Sequence, residues 1–180
     1  MSEFEIYSSD LLSSSKLFLE EAKADLPEGG KQRMLRAALT HAFFFLEAQL
    51  NYVASHFSNS SEFSVIERSL LSERDIALDN GKFVLVNKSK FFRLEDRIEF
   101  LLARFSRDLE SAKGTWFSDL KSSIKVRNRL VHPKDAHSLE VNEVEKAILS
   151  VLGCLSALYR AIFGKPFPPS ALGLHSGPMG

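Results

Sequence analysis

Between residues 143 and 163, the apolar residues Val144, Ile148, Val151, Leu155, Leu158 and Ile162 recur at intervals of 4, 3, 4, 3 and 4. That alternation places all six on one face of an α-helix, and no strand period of two reproduces it. Leu149 and Leu152 widen the stripe. Such a seam suits either a central core helix or half of a dimer interface, and the spacing alone serves both. A second pattern of the same kind runs from Lys31 to Phe57, where Leu35, Leu39, Phe43, Leu46, Leu50, Val53 and Phe57 are spaced by threes and fours. At about 1.5 Å per residue this second helix is roughly 40 Å long. Two long amphipathic helices in a chain of 180 residues push the fold towards the all-α class and a single domain.

The remaining segments fit around that pair. Ser8 or Ser9 is a candidate cap for a first helix reaching about Asp25, which Pro27, Gly29 and Gly30 then break. A short helix is expected over Phe63–Leu71 and another over Leu94–Phe105, where Ile98, Leu101, Leu102 and Phe105 share a side. Thr115 and Asn142 are candidate caps for the last two helices, and Gly164 with Pro166 stops the final one. Asn80-Gly81 sits between two short alternating runs, which predicts a β-hairpin over residues 76–86. The expectation is an all-α bundle of four to five main helices, residues 1–164, with a small β-hairpin insertion. The segment 165–180, rich in proline and glycine, is expected to be a flexible C-terminal tail.

Charge and cysteine content narrow the function classes. Acidic and basic residues balance at 23 each, so no global field recruits nucleic acid or a membrane. The balance is global but not local: Lys113, Lys121, Lys125, Arg127, Arg129 and Lys134 face a single acid, Asp119, within 22 residues. A single cysteine, Cys154, allows neither an intrachain disulfide nor a zinc finger, and it suits a reducing compartment. The opening "MSEFEIYSSD" lacks a signal-peptide layout, and the longest uncharged apolar run, Ala147–Tyr159, is too short to span a bilayer. A cytoplasmic protein with no membrane partner is expected.

The stretch "SDLKSSIKVRNRLVHPKD" carries an anomaly. On a wheel of about 100° per residue with Ile124 at zero, Val131, Leu120 and Phe117 fall within about 40° and Trp116 near −80°. Arg127 falls near −60°, inside the apolar arc, whereas Arg129 falls near +140°, beside Lys125 on the solvent side. A guanidinium in that arc needs a carboxylate, helix-end carbonyls or a cleft holding an anion. Glu47 is a candidate partner, on a long helix that also carries His41 and Asn51; simple surface solvation of that trio is the ordinary alternative. Asn128 and His132 are four apart and stack along one face. Pro133 turns His132 out of helical dihedrals, so its imidazole sits at the helix C-terminus. There it is suited either to capping carbonyls or to proton transfer near neutral pH.

The run "RNRLVHP", residues 127–133, resembles the signature of the HEPN superfamily: an arginine, a polar residue that is usually asparagine, and a histidine in the form R-x(4 to 6)-H. As in that family, the motif lies near the end of a late helix and one more long helix follows. The resemblance implies a homodimer with two motifs facing a cleft, and in active members a metal-independent ribonuclease of the toxin or defence type. Arg127 would meet the charge developing on phosphorus, His132 would transfer the proton, and Asn128 would orient one of them. Lys125, Arg129 and Lys134 would bind the RNA backbone. A toxin branch carries a tyrosine two residues after the histidine, where a partner enzyme modifies it; Lys134 stands there instead. Other members are catalytically silent and serve as dimerisation or partner-protein modules, which is the alternative for this chain.

Other chemistries find no pattern. The five histidines lack metal-ligand spacing, no cofactor motif or glycine-rich phosphate loop is present, and Cys154 lies among apolar residues. Phe43–Phe45 reads as core rather than a base-stacking platform, because it is mid-helix without flanking basic residues.

Overall fold

The computed structural model describes residues 2–133 and 135–175. They form helices α1 (Glu3–Lys23), α2 (Glu28–Phe57) and α3 (Val65–Ser72), a hairpin of β1 (Arg74–Asp79) and β2 (Lys82–Ser89), and helices α4 (Leu94–Phe105), α5 (Leu109–Val131) and α6 (Val141–Phe163). A short 3-10 turn, Pro168–Leu172, follows. The chain is thus mostly helical, with one two-stranded antiparallel sheet among the described residues.

α6 is the central helix. Val144, Ile148, Val151, Leu155 and Leu158 are each 0% exposed within the one chain. These five seam positions are therefore spent on the protein's own core, while Ile162 is partly buried and Leu149 is 48% exposed. Around it pack α1, α2, α4 and α5. By length and composition alone α6 could cross a bilayer, but these neighbours cover its apolar stripe.

Helices α1 and α2 run antiparallel, as two cross-links show: Ser15 Oγ donates to the Ala38 carbonyl, and Gln49 Nε2 donates to Ser8 Oγ. α1 starts earlier than the candidate caps at Ser8 and Ser9. Ser2 caps it and completes a reciprocal capping box with Glu5, whose carboxyl is held below its usual range by those same bonds. α6 likewise starts from Glu140 rather than Asn142, with Glu143 as reciprocal partner. α5 starts at Leu109, capped by Asp108, and Gly114 divides it into two helical pieces, the second starting beside Thr115 as expected. It kinks at Gly114, whose φ of 48° is a left-handed value that favours glycine. The kink brings Trp116 against α6, where a Cβ on Gly153 would lie 2.7 Å from the Trp116 Cβ.

In the hairpin, Asn80 and Gly81 take φ of 48° and 77°, the paired positive values of a type I′ turn. The ladder is longer than residues 76–86 and carries an irregularity between Arg74 and Ile76. Its base is closed by the Lys90 amide donating to the Glu73 carbonyl at 2.9 Å.

The segment beyond α6 departs from the expected flexible tail. Phe167 is buried, with its ring centroid 4.8 Å from Tyr159 and 5.8 Å from Phe45. Lys16 Nζ donates to the His175 carbonyl at 3.0 Å. Burial holds the Lys16 ammonium below its ordinary range, with nearby Glu20 opposing. An aromatic anchor thus outweighs the proline and glycine content as far as residue 175; residues 176–180 lie outside the described residues.

The loop between α5 and α6 is fixed by one side chain. Gln32 Nε2 donates to the Leu139 carbonyl at 2.9 Å, and Gln32 Oε1 accepts from the Leu139 amide at 2.9 Å. The carboxamide thus pairs with both backbone groups of a residue that is 1% exposed. Gln32→Met keeps the volume and orphans both groups, each worth about 1–3 kcal/mol when buried unpaired. We expect urea unfolding to show a loss of about 2–4 kcal/mol at unchanged slope. A loss below about 1 kcal/mol would mean that water reaches Leu139 in the variant.

Candidate functional site

Phe43, Glu47 and Asn51 follow one another at intervals of four on α2, so they line one edge of that helix. Facing them across an open cleft of about 590 Å³ are Lys125, Arg127 and Asn128 of α5. Arg97 of α4, Glu73 at the hairpin base and the linker Phe91–Arg93 complete the walls.

Arg127 reaches across this cleft. Its guanidinium lies 2.6 Å from Glu47 Oε1, donates to Asn128 Oδ1 at 3.2 Å, and stands 5.9 Å from the centre of the Phe43 ring. The side chain is 31% exposed, so Arg127 is a cleft-edge cation rather than the buried one the wheel suggests. The apolar arc overstates burial in the last turns of α5: Val131, also in the arc, is 55% exposed. Arg129 is exposed, as its wheel position predicts. Of the helix that carries Glu47, Asn51 also enters the cleft, while His41 turns away; its Nδ1 lies 2.8 Å from the Ala37 carbonyl oxygen and its ring lies between Phe18 and Phe44.

The deeply buried cation is one that the pattern of α5 does not reveal. Arg97 is 4% exposed. It pairs with Glu73 at 3.1 Å, donates to Asn51 Oδ1 at 2.8 Å, and donates to the Leu71 carbonyl at 3.4 Å. Burial pulls its pKa below the usual arginine value, against the opposing pull of Glu73 and Glu47. The group nevertheless stays charged at any ordinary pH. Glu73 reaches it from a left-handed backbone, φ 51° and ψ 41°, at the end of α3. The available signal is its spacing: Arg97 lies three residues after Leu94 and four before Leu101. Glu47 thus lies between two guanidiniums, bonded to Arg127 and acting electrostatically on Arg97.

His132 belongs to a neighbouring cleft. It is the C-cap of α5, its amide donating to the Asn128 carbonyl at 2.9 Å, and its side chain is exposed. A space of about 670 Å³ there is lined by Lys125, Asn128, Arg129, His132, Asp135 and His137. His137 is a second histidine that the motif does not select. Asn128 and Lys125 line both clefts; Arg127 lines only the first and His132 only the second. Five positions along a helix turn the chain by about 140°, which is why the two motif residues diverge. Lys134 lies outside the described residues.

The basic stretch is less positive in space than in sequence. Lys113 is held by Glu99 and Glu110 at 3.3 and 3.0 Å, and Arg127 by Glu47. Asp119 pairs with Lys146. Lys121 lies over the Phe117 ring, while Lys125 and Arg129 make no ion pair among the described residues. Cys154 is fully buried, and burial pushes its thiol far above the ordinary range, so it is a packing residue rather than a nucleophile. No group of three or more candidate metal ligands occurs among the described residues. Comparison with protein-family models, curated proteins and solved structures finds no match.

The Arg97 pair generates a stability test. Glu73→Gln leaves a buried guanidinium with only neutral hydrogen-bond partners and the more distant Glu47; we expect a loss of about 2–3 kcal/mol, discounted from the 3–5 of a fully buried pair because Glu73 is itself 28% exposed. Arg97→Met removes the buried charge altogether and leaves Glu73 and Asn51 at positions that water can reach, so its loss should be smaller. Urea titrations giving the reverse order would show that the bonds to Asn51 and Leu71 outweigh the ion pair.

Proposed function

We propose that this chain is a HEPN-like protein that acts on RNA as a homodimer in the cytoplasm, as a metal-independent endoribonuclease of the toxin or defence type. The observation that carries the reading is the arrangement at the end of α5. Arg127 is steered into a cleft by Glu47 and Asn128, and His132 stands solvent-accessible one turn beyond, with Asn128 and Lys125 between them. The order of elements supports it as well, since the long helix α6 follows the motif.

The chemistry follows from the residue types. Attack of a ribose 2′-oxygen on the adjacent phosphorus requires a proton to leave that oxygen and one to reach the departing 5′-oxygen. Imidazole has one nitrogen that can accept a proton and one that can donate it, which suits both transfers. A guanidinium has five N–H donors, and Glu47 and Asn128 leave several for a phosphate. Within one chain Arg127 and His132 open into different clefts, so a complete set on one phosphate draws Arg127 and His132 from opposite protomers. The α6 seam offers no support for that dimer, being buried in the single chain. The dimer therefore rests on the split motif alone.

A second reading has its own observation. Glu47 already neutralises Arg127 at 2.6 Å, as it would in a catalytically silent module that binds a partner protein through the same bundle.

With purified protein, total RNA and EDTA, cleavage is expected for the wild type. His132→Ala should slow it about 10²- to 10⁴-fold. Arg127→Ala should do so comparably, with little effect on stability because the ion pair is a third exposed. Arg129→Ala should mainly weaken salt-sensitive affinity. Intact RNA with folded wild type favours the silent module, and Arg129 proving as critical as Arg127 would remove the assigned roles.

Light scattering at tens of micromolar should give twice the 20.2 kDa chain mass. A monomer there would remove the composite arrangement.

A further inference from the structure

The criterion that excludes Phe43–Phe45 as a base-stacking platform selects another aromatic pair. Phe43 and Phe45 are each 1% exposed, buried in the core, while Phe44, read as core with them, is 49% exposed with its ring beside His41. Phe91 and Phe92 lie in an extended linker between β2 and α4, flanked directly by Lys90 and Arg93. Phe91 is 88% exposed, the most exposed large apolar side chain among the described residues. Such a ring contributes almost nothing to folding, because almost none of it leaves water. Its position is not that of a stray surface residue. It lines the rim of the same cleft as Lys125, Arg127 and Asn128.

The linker is held there. The Lys90 amide is bonded to the Glu73 carbonyl, and Glu73 is tied to the buried Arg97. Lys90 Nζ stands 5.4 Å over the Phe92 ring, which is only partly exposed. Phe92 thus packs beside a cation while Phe91 offers a free face. Arg93 is exposed and bound only loosely to Glu95, at 3.6 Å. Lys125 on the opposite wall makes no ion pair among the described residues.

We infer that the cleft takes an unpaired RNA strand, with one base stacked on Phe91 and the adjoining phosphates between Arg93, Lys125 and Arg127. This rests on the RNA-directed reading above and adds the substrate class to it: single-stranded rather than duplex RNA. An aromatic face beside cations is the usual means of holding an unstacked base, and it works for any base because every base has a π-face. In an intact A-form duplex the bases are stacked on one another, so a lone ring at a cleft rim has no base to receive.

The test separates this inference from catalysis. The probe is a fluorescein-labelled 2′-O-methyl oligonucleotide of about a dozen residues, which lacks the attacking hydroxyl and fills a groove of the usual site size. Fluorescence anisotropy is measured for the wild type, Phe91→Leu and Phe91→Trp. Phe91→Leu should weaken binding about ten- to hundredfold, Phe91→Trp should retain it, and the salt slope of Phe91→Leu should match the wild type because the phosphate contacts remain. The emission of Phe91→Trp, less the wild-type signal, should be quenched by the strand. The duplex of the same sequence should bind more weakly and without dependence on residue 91. The inference is overturned if Phe91→Leu binds the strand as the wild type does, if the duplex shows the same dependence, or if the wild type binds no strand, the last outcome leaving a protein-docking surface. Phe91-dependent binding by a wild type that cuts no RNA ends the ribonuclease reading and keeps the platform. Cleavage undisturbed in Phe91→Leu does the converse.

Discussion

The buried guanidinium of Arg97 holds the candidate cleft together. A charge at that depth is tolerable only with partners on several sides, and the chain draws them from three other places: Glu73 from the hairpin base, Asn51 from α2 and the Leu71 carbonyl from α3. Each partner is fixed by satisfying it. Glu73 does so from the left-handed C-cap of α3, and its own carbonyl receives the Lys90 amide. The wall that carries Phe91 and the wall that carries Glu47 are thereby set relative to one another. Arg127, closer to solvent, is the less enclosed of the two guanidiniums that flank Glu47.

Much of the scaffold was legible because it depends on local periodicity and turn chemistry. The bounds of α4 coincide with the apolar pattern, and Asn80-Gly81 marks the turn. What was not legible depends on partners remote in sequence. Periodicity places Val144 to Leu158 on one face but does not say whether that face meets the same chain or another, and here it meets the same chain. Phe167 overrides the composition of its segment because Phe45 and Tyr159 wait for it. The helical piece from Leu109 to the break at Gly114 precedes the start expected at Thr115 and had no such signal.

The site shows the same division. A wheel singles out Arg127 correctly as facing inward, and Glu47 does meet it, 80 positions away in sequence. The wheel has no knowledge of where neighbouring helices end, so it assigns too much burial to Arg127 and Val131. Arg97 sits at the margin of its arc and gives little local signal, although it is the more buried of the two. The separation of Arg127 from His132 follows from helical geometry, and only under the proposed dimer does a second copy give it meaning.

The hairpin's closed base has a consequence for how the chain tolerates change. The Lys90–Glu73 bond brings the two ends of the insertion together at the body of the protein, ahead of anything the strands do beyond it. Lengthening a loop whose ends are already joined adds only a logarithmic entropy term, about 0.6 kcal/mol per doubling. Leu78 and Phe83, paired near the tip, are each 66% exposed and anchor nothing in the core. The tip is thus a place where sequence and length can drift, or a tag can be grafted, while Glu73 and Phe91 keep their stations on the cleft.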